Sequence, residues 1–149
     1  ASLSHVLCQH FTDLSPDQAT LAGLVHEIGK LPILAWAEEH DWDNETIETI
    51  TNELHPELGK LILEAWSFPP ELQEVPAQYI QFDRLVDATD YVDVVMVANL
   101  HSYAGQDHPY ATMNWSEIHA FENLGIAIDV VVEDDEFEEQ VQTAKSLLT

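Results

Sequence analysis

An adjacent histidine and glutamate, His26 and Glu27, stand where a predicted helix ends, and Lys30 follows three residues later. Neutral imidazole and ionised carboxylate are both ligands for divalent cations, and a helix end lets them converge with donors from other helices. Two donors alone do not make a metal site. A structural histidine, hydrogen-bonded at the helix terminus, is therefore the competing interpretation, and Lys30 either contacts a substrate phosphate or pairs with a nearby acid.

Two further polar positions, His55 and Asn99, are candidates for the same site. His55 precedes Pro56, where a helix is expected to begin, so its imidazole could instead accept a backbone hydrogen bond as an N-cap. Asn99 lies on an otherwise apolar helical stripe and needs a hydrogen-bond partner once it is buried. A bond to His26 or Glu27 would join these residues in one hydrogen-bond network. The stripe consists of Val92, Val95, Met96, Asn99 and Tyr103.

Helix start and stop signals place these residues on a series of helices. Ser15 can cap a helix that begins at Pro16 and runs to about Ile28, and Gly29 offers a left-handed stop. Pro56 is expected to end one helix and begin the next. Caps and apolar spacing predict helices over residues 16–28, 33–39, 45–54, 56–67, 70–79, 91–103, 116–124 and 134–148.

Residues 127–132 are the one segment with the β-branched composition of a strand. Because no second strand is predicted to pair with them, they are interpreted as a connection, and residues 105–114 as an exposed loop. The prediction is an all-α, multi-helix bundle that forms one domain over residues 1–149. Since the chain starts at Ala1 rather than Met, we expect an upstream N-terminal part of the domain.

The charge balance is strongly acidic: four Lys and Arg stand against 28 Asp and Glu, for a formal net charge of −24. Such a surface repels nucleic-acid phosphates and anionic membranes, so neither is an expected partner. The excess could suit a cation or a basic partner, although solubility in a salty cytoplasm is the simpler explanation. Charge alone names no ligand.

The single cysteine, Cys8, cannot form an internal disulfide and is predicted to be a small buried hydrophobe in a reducing compartment. The sequence has no run of eighteen apolar residues, and its start lacks the basic and then apolar pattern of a signal peptide. A cytoplasmic location is therefore expected.

Three blocks of the sequence resemble the HDOD domains of the HD superfamily of metal-dependent phosphohydrolases. Residues 21–30 (LAGLVHEIGK) are similar to the helix that carries the namesake histidine and acid in the signalling branches. Residues 55–69 are similar to the family's His-x-x-Leu-Gly run, which ends in Trp-x-x-Pro. Residues 95–100 (VMVANL) are similar to the helix that carries the last conserved position. The resemblance implies an HD-type helical bundle.

The resemblance also implies a site that has lost part of its chemistry. Catalytic HD proteins hold one or two metals through an upstream His, a His-Asp pair and a distant Asp, and the metal-bound water attacks phosphate. Here Glu27 stands in the place of the paired Asp, and Asn99 in the place of the distant one. An amide oxygen is a neutral and weaker ligand. His5 and His10 lie closer to the pair than the family pattern suggests, so the upstream ligand is expected before Ala1.

His55 resembles the additional ligand position of the HD-GYP phosphodiesterases, but residues 76–79 (PAQY) stand where those enzymes carry a histidine pair. The resemblance therefore implies a vestigial metal site consisting of His26, Glu27, His55 and Asn99. No cofactor is expected in such a site.

Two functions are compatible with these residues. The first is a non-catalytic output module that acts through protein contacts in bacterial signal transduction, with the partner and the oligomeric state left open. The alternative is a phosphohydrolase or phosphodiesterase that uses His26, Glu27 and His55 with a divalent Fe, Mn or Mg ion, with Lys30 as candidate catalytic residue. A small acidic or nucleotide ligand in the former metal cleft is a weaker third interpretation, which the net charge opposes.

Overall fold

The computed structural model describes residues 1–126 together with residues 139, 142, 143 and 146, which are helical. Within residues 1–126 all regular structure is helical, which confirms the predicted all-α class. The α-helices are α1 (Ser2–Phe11), α2 (Pro16–Val25), α3 (Lys30–Glu39), α4 (Asn44–Ala65), α5 (Pro70–Gln73), α6 (Val75–Gln78), α7 (Tyr91–Ser102), α8 (Pro109–Thr112) and α9 (His119–Leu124). A 3₁₀ turn, Trp115–Glu117, precedes α9.

Local capping signals set several helix ends. Ser15 and Asp90 each accept a hydrogen bond from the backbone N–H three residues on, at 3.4 and 3.0 Å, so α2 and α7 begin where the sequence predicts. Asp43 caps α4 in the same way at 2.7 Å. Gly125, with φ 68°, closes α9 in the left-handed conformation. These ends depend only on residues within one turn.

The predicted break at Pro56 is wrong, because α4 runs without interruption through 22 residues with Pro56 inside it. Pro56 removes one backbone donor from the helix, a loss that a helix tolerates only when tertiary packing compensates. That packing comes from an inward stripe of buried residues spaced by four, which consists of Thr51, His55, Gly59 and Leu63. His55 is therefore a buried mid-helix residue, and the N-cap interpretation is wrong.

The predicted left-handed stop at Gly29 is also wrong, since Gly29 has φ −62° and α3 begins at Lys30. A glycine is needed here for close approach. A Cβ at residue 29 would overlap the carbonyl oxygen of His55 and lie 2.6 Å from the nitrogen of Gly59. A Cβ at Gly59 would in turn lie 2.6 Å from the Cβ of Pro76. The two glycines thus bring the α2–α3 turn, α4 and α6 into backbone contact.

Smaller differences lie in the later part of the chain. The segment predicted as one helix over 70–79 is divided into α5 and α6, and the predicted loop over 105–114 contains α8. The predicted connection over 127–132 lies outside the described residues. Of the helix predicted over 134–148, only residues 139, 142, 143 and 146 are described.

The main hydrophobic core surrounds α7, which packs against α1, α2, α6 and α9. Because α7 is enclosed in this way, nine of its residues are buried rather than the single stripe that the sequence indicates. Cys8 of α1 is fully buried in this core, which confirms its predicted role as a small hydrophobe. In contrast, α3 packs mainly against α4, and α4 against α5 and α6.

None of the helices in the described part of the chain is both long enough and apolar enough to cross a lipid bilayer.

Candidate functional site

Five polar side chains gather where the α2–α3 turn, α4 and α6 meet. Their positions follow from the glycine contacts, which hold the end of α2 directly against the backbone of α4 beside His55. We call this set the His26 cluster; it consists of His26, Glu27, Lys30, His55 and Tyr79.

Glu27 is neutralised by a cation from its own turn. The Lys30 ammonium lies 2.6 Å from Glu27 Oε1, so the expected pairing of Lys30 with a nearby acid is present. The Tyr79 hydroxyl donates a longer hydrogen bond of 3.4 Å to the same oxygen. Burial alone would raise the pKa of Glu27, but the hydrogen bond and charge of Lys30 outweigh burial and lower this pKa. Glu27 is therefore ionised, with Lys30 as its counter-ion.

The His26 side chain is held at the end of α2 by a backbone carbonyl of the same helix. Its Nδ1 donates to the carbonyl oxygen of Gly23 at 2.6 Å, and its ring packs edge-on against Tyr79 with centroids 4.8 Å apart. Burial lowers the pKa of His26 and favours the neutral imidazole. This is the expected structural histidine at a helix terminus. The same geometry leaves Nε2 as the acceptor nitrogen, the orientation that metal-binding histidines use.

His55 is buried in the His26 cluster with an unpaired ring nitrogen. The residue is 3% exposed, and its Nδ1 has no hydrogen-bond partner among the residues that the structure describes. The hydroxyl of Thr51, one turn earlier on α4, is buried and unpaired in the same sense. Burial, followed by the charge of Lys30, lowers the pKa of His55, so its imidazole is neutral. An unpaired buried donor or acceptor costs about 1–3 kcal/mol, which makes this inner face of α4 energetically unfavourable.

Asn99 lies apart from His55. Together with His26, Glu27 and Tyr103, it lines a cleft of about 410 Å³ between α1, α2 and α7. Asn99 is only partly buried, and its side chain makes no hydrogen bond to His26 or Glu27. Of the sequence-predicted residues, Asn99 lines the cleft with His26 and Glu27, whereas His55 packs against Tyr79.

The two candidate upstream histidines do not join this cleft. His5 lies between α1 and α2, where its Nδ1 is 3.0 Å from the hydroxyl oxygen of Thr20. His10 is exposed at the end of α1. Neither is among the residues that line the cleft beside His26 and Asn99.

Tyr79 is the site residue that sequence reasoning missed. It is 2% exposed, and burial and the negative charge of Glu27 raise its pKa, so its hydroxyl stays protonated and acts as a donor. Its ring packs near both imidazoles, with centroids 4.8 Å from that of His26 and 6.0 Å from that of His55. The signal was its position in residues 76–79, where related enzymes were expected to carry a histidine pair.

The donor set of the described residues does not fit a divalent metal. These residues contain no group of three or more His, Cys, Asp or Glu side chains arranged to hold an ion. The carboxylate of Glu27 is paired with Lys30, Asn99 is neutral, and the Tyr79 ring packs near both imidazoles.

Comparison with known proteins agrees with this fold. The chain is similar over 97% of its length to the crystal structure of a "putative metal-dependent phosphohydrolase" from Shewanella amazonensis SB2B, with a TM-score of 0.78 and 25% sequence identity. It spans 53%, about half, of that protein. No protein of curated function matches the sequence significantly. Residues 1–81, more than half of the chain, match the HDOD domain, and the chain therefore belongs to the HDOD family.

Proposed function

We propose that this chain is a non-catalytic HDOD output module, which acts in the cytoplasm through protein contacts and not through nucleic acid or membranes. The observation that carries the proposal is the 2.6 Å ion pair between Lys30 and Glu27. A metal ion bound by Glu27 would have to displace an ammonium group that already neutralises the carboxylate. Electrostatic repulsion between that ammonium and an incoming divalent cation opposes such binding.

The charge of the remaining donors supports the same proposal. A divalent cation is stabilised by anionic ligands, and Asn99 contributes only a neutral amide to the cleft. His26 and His55 are neutral, and both imidazoles pack near the Tyr79 ring. The His26 cluster then serves to join α2, α4 and α6, and the fold has kept the geometry of a site without its ligand charges.

The alternative is a metal-dependent phosphohydrolase or phosphodiesterase, and one observation favours it. The hydrogen bond from Nδ1 of His26 to Gly23 leaves Nε2 in the orientation of a metal ligand. The name of the similar protein from Shewanella amazonensis, a "putative metal-dependent phosphohydrolase", is consistent with this alternative. In this alternative His26, Glu27 and His55 bind the ion, Lys30 contacts the phosphate, and residues beyond the described part complete the site.

Metal content and turnover separate the two functions. The chain is purified without chelator, its Fe, Mn and Mg are quantified by elemental analysis, and hydrolysis of bis(p-nitrophenyl) phosphate is followed. We expect far less than one metal ion per chain and no turnover. We expect His26→Ala to leave both the metal content and the turnover unchanged. The matched control is His119→Ala, which alters an exposed histidine outside the cluster. Stoichiometric iron or manganese that is lost in His26→Ala together with turnover would establish the alternative.

Variants designed to gain metal binding test whether the Lys30–Glu27 ion pair and the neutral Asn99 side chain exclude the metal. Lys30→Met frees the Glu27 carboxylate, and Asn99→Asp adds a second carboxylate to the cleft. We expect the double variant to bind Mn²⁺ more tightly than either single variant, and each single variant more tightly than the unmodified chain, measured by isothermal titration calorimetry. If the unmodified chain binds Mn²⁺ as tightly as the double variant, the ion pair does not exclude the metal.

A further inference from the structure

The α3–α4 hairpin exposes large apolar side chains that the rest of the described fold does not cover. On α3 only Ile33 and Ala37 are buried, and on α4 the buried residues are limited to the inward stripe that ends at Leu63. The outer side chains are between 47% and 62% exposed; they are Leu31, Leu34, Trp36, Leu54 and Leu61. No residue of either helix belongs to the main core around α7. An exposed apolar surface of this kind is typical of an interaction site.

A groove runs between the two helices on this side. It has a volume of about 250 Å³, and its walls are apolar. The residues that line it include Pro32, Ile33, Trp36, Ile50, Leu54 and Leu58. The floor comes from both helices and the rim from Trp36 and Leu54, which are both about half exposed. A partner side chain in this groove would be surrounded by aliphatic and indole carbon.

The charge around the groove has one sign. Residues 31–59 contain eight Asp and Glu and no Lys or Arg. All eight carboxylates are exposed. The lysines at the two ends of this stretch, Lys30 and Lys60, form ion pairs with Glu27 and Glu74 at 2.6 and 2.9 Å. The exposed surface of the hairpin that forms the groove is therefore strongly acidic.

We infer that the α3–α4 groove docks a basic amphipathic helix of a partner protein. Such a helix presents aliphatic residues at i, i+3, i+4 and i+7 to the groove, and Lys and Arg to the acidic surface of the hairpin. The inference rests on the proposed function, because it assigns the surface through which the output module makes its protein contact. The apolar walls provide affinity, and the exposed carboxylates of the hairpin favour a helix with basic flanks and speed its association.

The same charges argue against a second copy of this chain as the occupant. Face-to-face pairing of two hairpins would bring two acidic surfaces together, in proteins that each carry a formal net charge of −24. Like charges brought together across an interface cost binding free energy. A basic helix relieves that repulsion instead.

The groove is connected to the His26 cluster through α4. Leu54 and Leu58 face the groove, while His55 and Gly59, within the same turn and a half, face inward to the α2–α3 turn. A partner that shifts this part of α4 therefore shifts the backbone against which Gly29 is packed.

The test uses the whole chain and a synthetic 18-residue peptide of Leu and Lys with Leu at the amphipathic spacing. Binding is followed by isothermal titration calorimetry and by tryptophan fluorescence, to which Trp36 and Trp42 in the groove lining contribute. Two peptides serve as controls: one with Glu in place of Lys, and one of the same composition in scrambled order. We expect only the amphipathic Lys peptide to bind, with affinity that falls as salt is added.

Variants of the groove complete the test. Trp36→Ala combined with Leu54→Ala is expected to weaken binding by about ten-fold or more, because both side chains are anchors at the rim. Leu85→Ala is the matched control, since Leu85 is 70% exposed but lies outside the hairpin. Glu53→Lys with Glu57→Lys, which leaves the apolar walls intact, is expected to weaken binding through charge. Calorimetry is used for every variant, and unchanged far-UV circular dichroism shows that each one folds.

Equal binding of the scrambled peptide, or unchanged binding by the Trp36/Leu54 variant, would overturn the docking inference. So would a dimer in sedimentation experiments that this variant dissociates, because the occupant would then be a second copy. Failure of the proposed function is distinguishable: it appears as bound metal and phosphodiester turnover, neither of which depends on the peptide result.

Discussion

Two groups of polar and charged side chains, each partly buried, lie in the described part of the fold, and they differ in how completely they are paired. The first, the Arg84 network, consists of Arg84, Asp90, Asp93 and Asn123. Asp93 is 1% exposed, and its two carboxylate oxygens accept from Arg84 at 2.8 Å and from Asn123 at 3.0 Å. Arg84 also binds Asp90, the residue that caps α7. Every charge in this group has a partner.

The second group, the His26 cluster, is only partly paired. Glu27 keeps 41% of its side-chain surface exposed and shares one oxygen between Lys30 and Tyr79. His55 is buried with an unpaired nitrogen. Natural folds rarely keep an unsatisfied buried polar atom where an apolar residue would be more stable.

The difference is the one that the proposed function predicts. The Arg84 network ties the loop before α7 to α7 and α9, which is a structural role that needs complete pairing. The His26 cluster keeps polar residues whose pairing is incomplete, as we would expect of the vestigial site that we propose. Four measurements test this contrast.

Loss of Asp93 should have the largest effect on stability. Asp93→Ala leaves the buried Arg84 guanidinium with Asp90 alone and removes the carboxylate that accepts from Asn123, and breaking a buried pair costs about 3–5 kcal/mol. The measurement is urea denaturation followed by circular dichroism. Asp87→Ala, which removes an exposed carboxylate from the same loop, should change stability by less than about 0.5 kcal/mol. A loss below about 1 kcal/mol in Asp93→Ala would remove the distinction between the two groups.

Gly29→Ala should come next, because its new methyl group would overlap the backbone of α4 at His55. Forced separation of packed elements costs about 1–3 kcal/mol. The comparison variant is Gly105→Ala, which has open space around the Cβ but a φ of 75°, so it reports left-handed strain without a clash. Only Gly29→Ala should also shift the imidazole signals of His55 and His26 in NMR spectra. Unchanged signals would show that the glycine does not position the cluster.

Acidification should weaken the fold through the His26 cluster. Burial lowers the pKa of both His26 and His55 below the value of about 6.5 for an unfolded histidine. As pH falls through that value, the unfolded chain binds protons that the native chain does not, so the free energy of unfolding decreases. We expect lower stability at about pH 5.5 than at about pH 7.5, and a flatter profile in His55→Gln.

The control for this pH dependence is His119→Gln, which replaces an exposed histidine and should leave the profile of the unmodified chain in place. Burial raises the pKa of Asp93, so any contribution from the Arg84 network has the opposite sign: the native chain binds that proton more readily than the unfolded chain, and stability rises as pH falls. An equal flattening in both histidine variants would assign the pH dependence to the surface rather than to the cluster.

The smallest effect is expected from Lys30→Met. The pair with Glu27 is half exposed, and such pairs contribute about 0–1 kcal/mol. The informative readout is the pKa of the Glu27 carboxyl, measured by carbon-13 NMR titration, which should rise when the ammonium is removed. Lys60→Met is a matched control, because its pair with Glu74 has nearly the same exposure but lies outside the cluster. A rise of the Glu27 pKa in both variants would mean that Lys30 is not its specific counter-ion.

The sequence alone predicts the helical class, the caps at Ser15 and Asp90, the stop at Gly125 and the pairing of Lys30 with an acid. Each of these depends on hydrogen bonds or charges within about one helical turn, so local residue types are sufficient. The family resemblance also came from contiguous blocks, and the match over residues 1–81 confirms it.

The arrangement of the site could not be predicted locally, because it depends on contacts between distant parts of the chain. Pro56 stays inside α4, Gly29 is needed for a backbone contact and not for a left-handed turn, and Asn99 does not bond to the histidine pair. Tyr79 reaches Glu27 across 52 residues of sequence. These features depend on which helices approach each other and how closely, and that approach is set by packing over the whole domain rather than by the residues of any one segment.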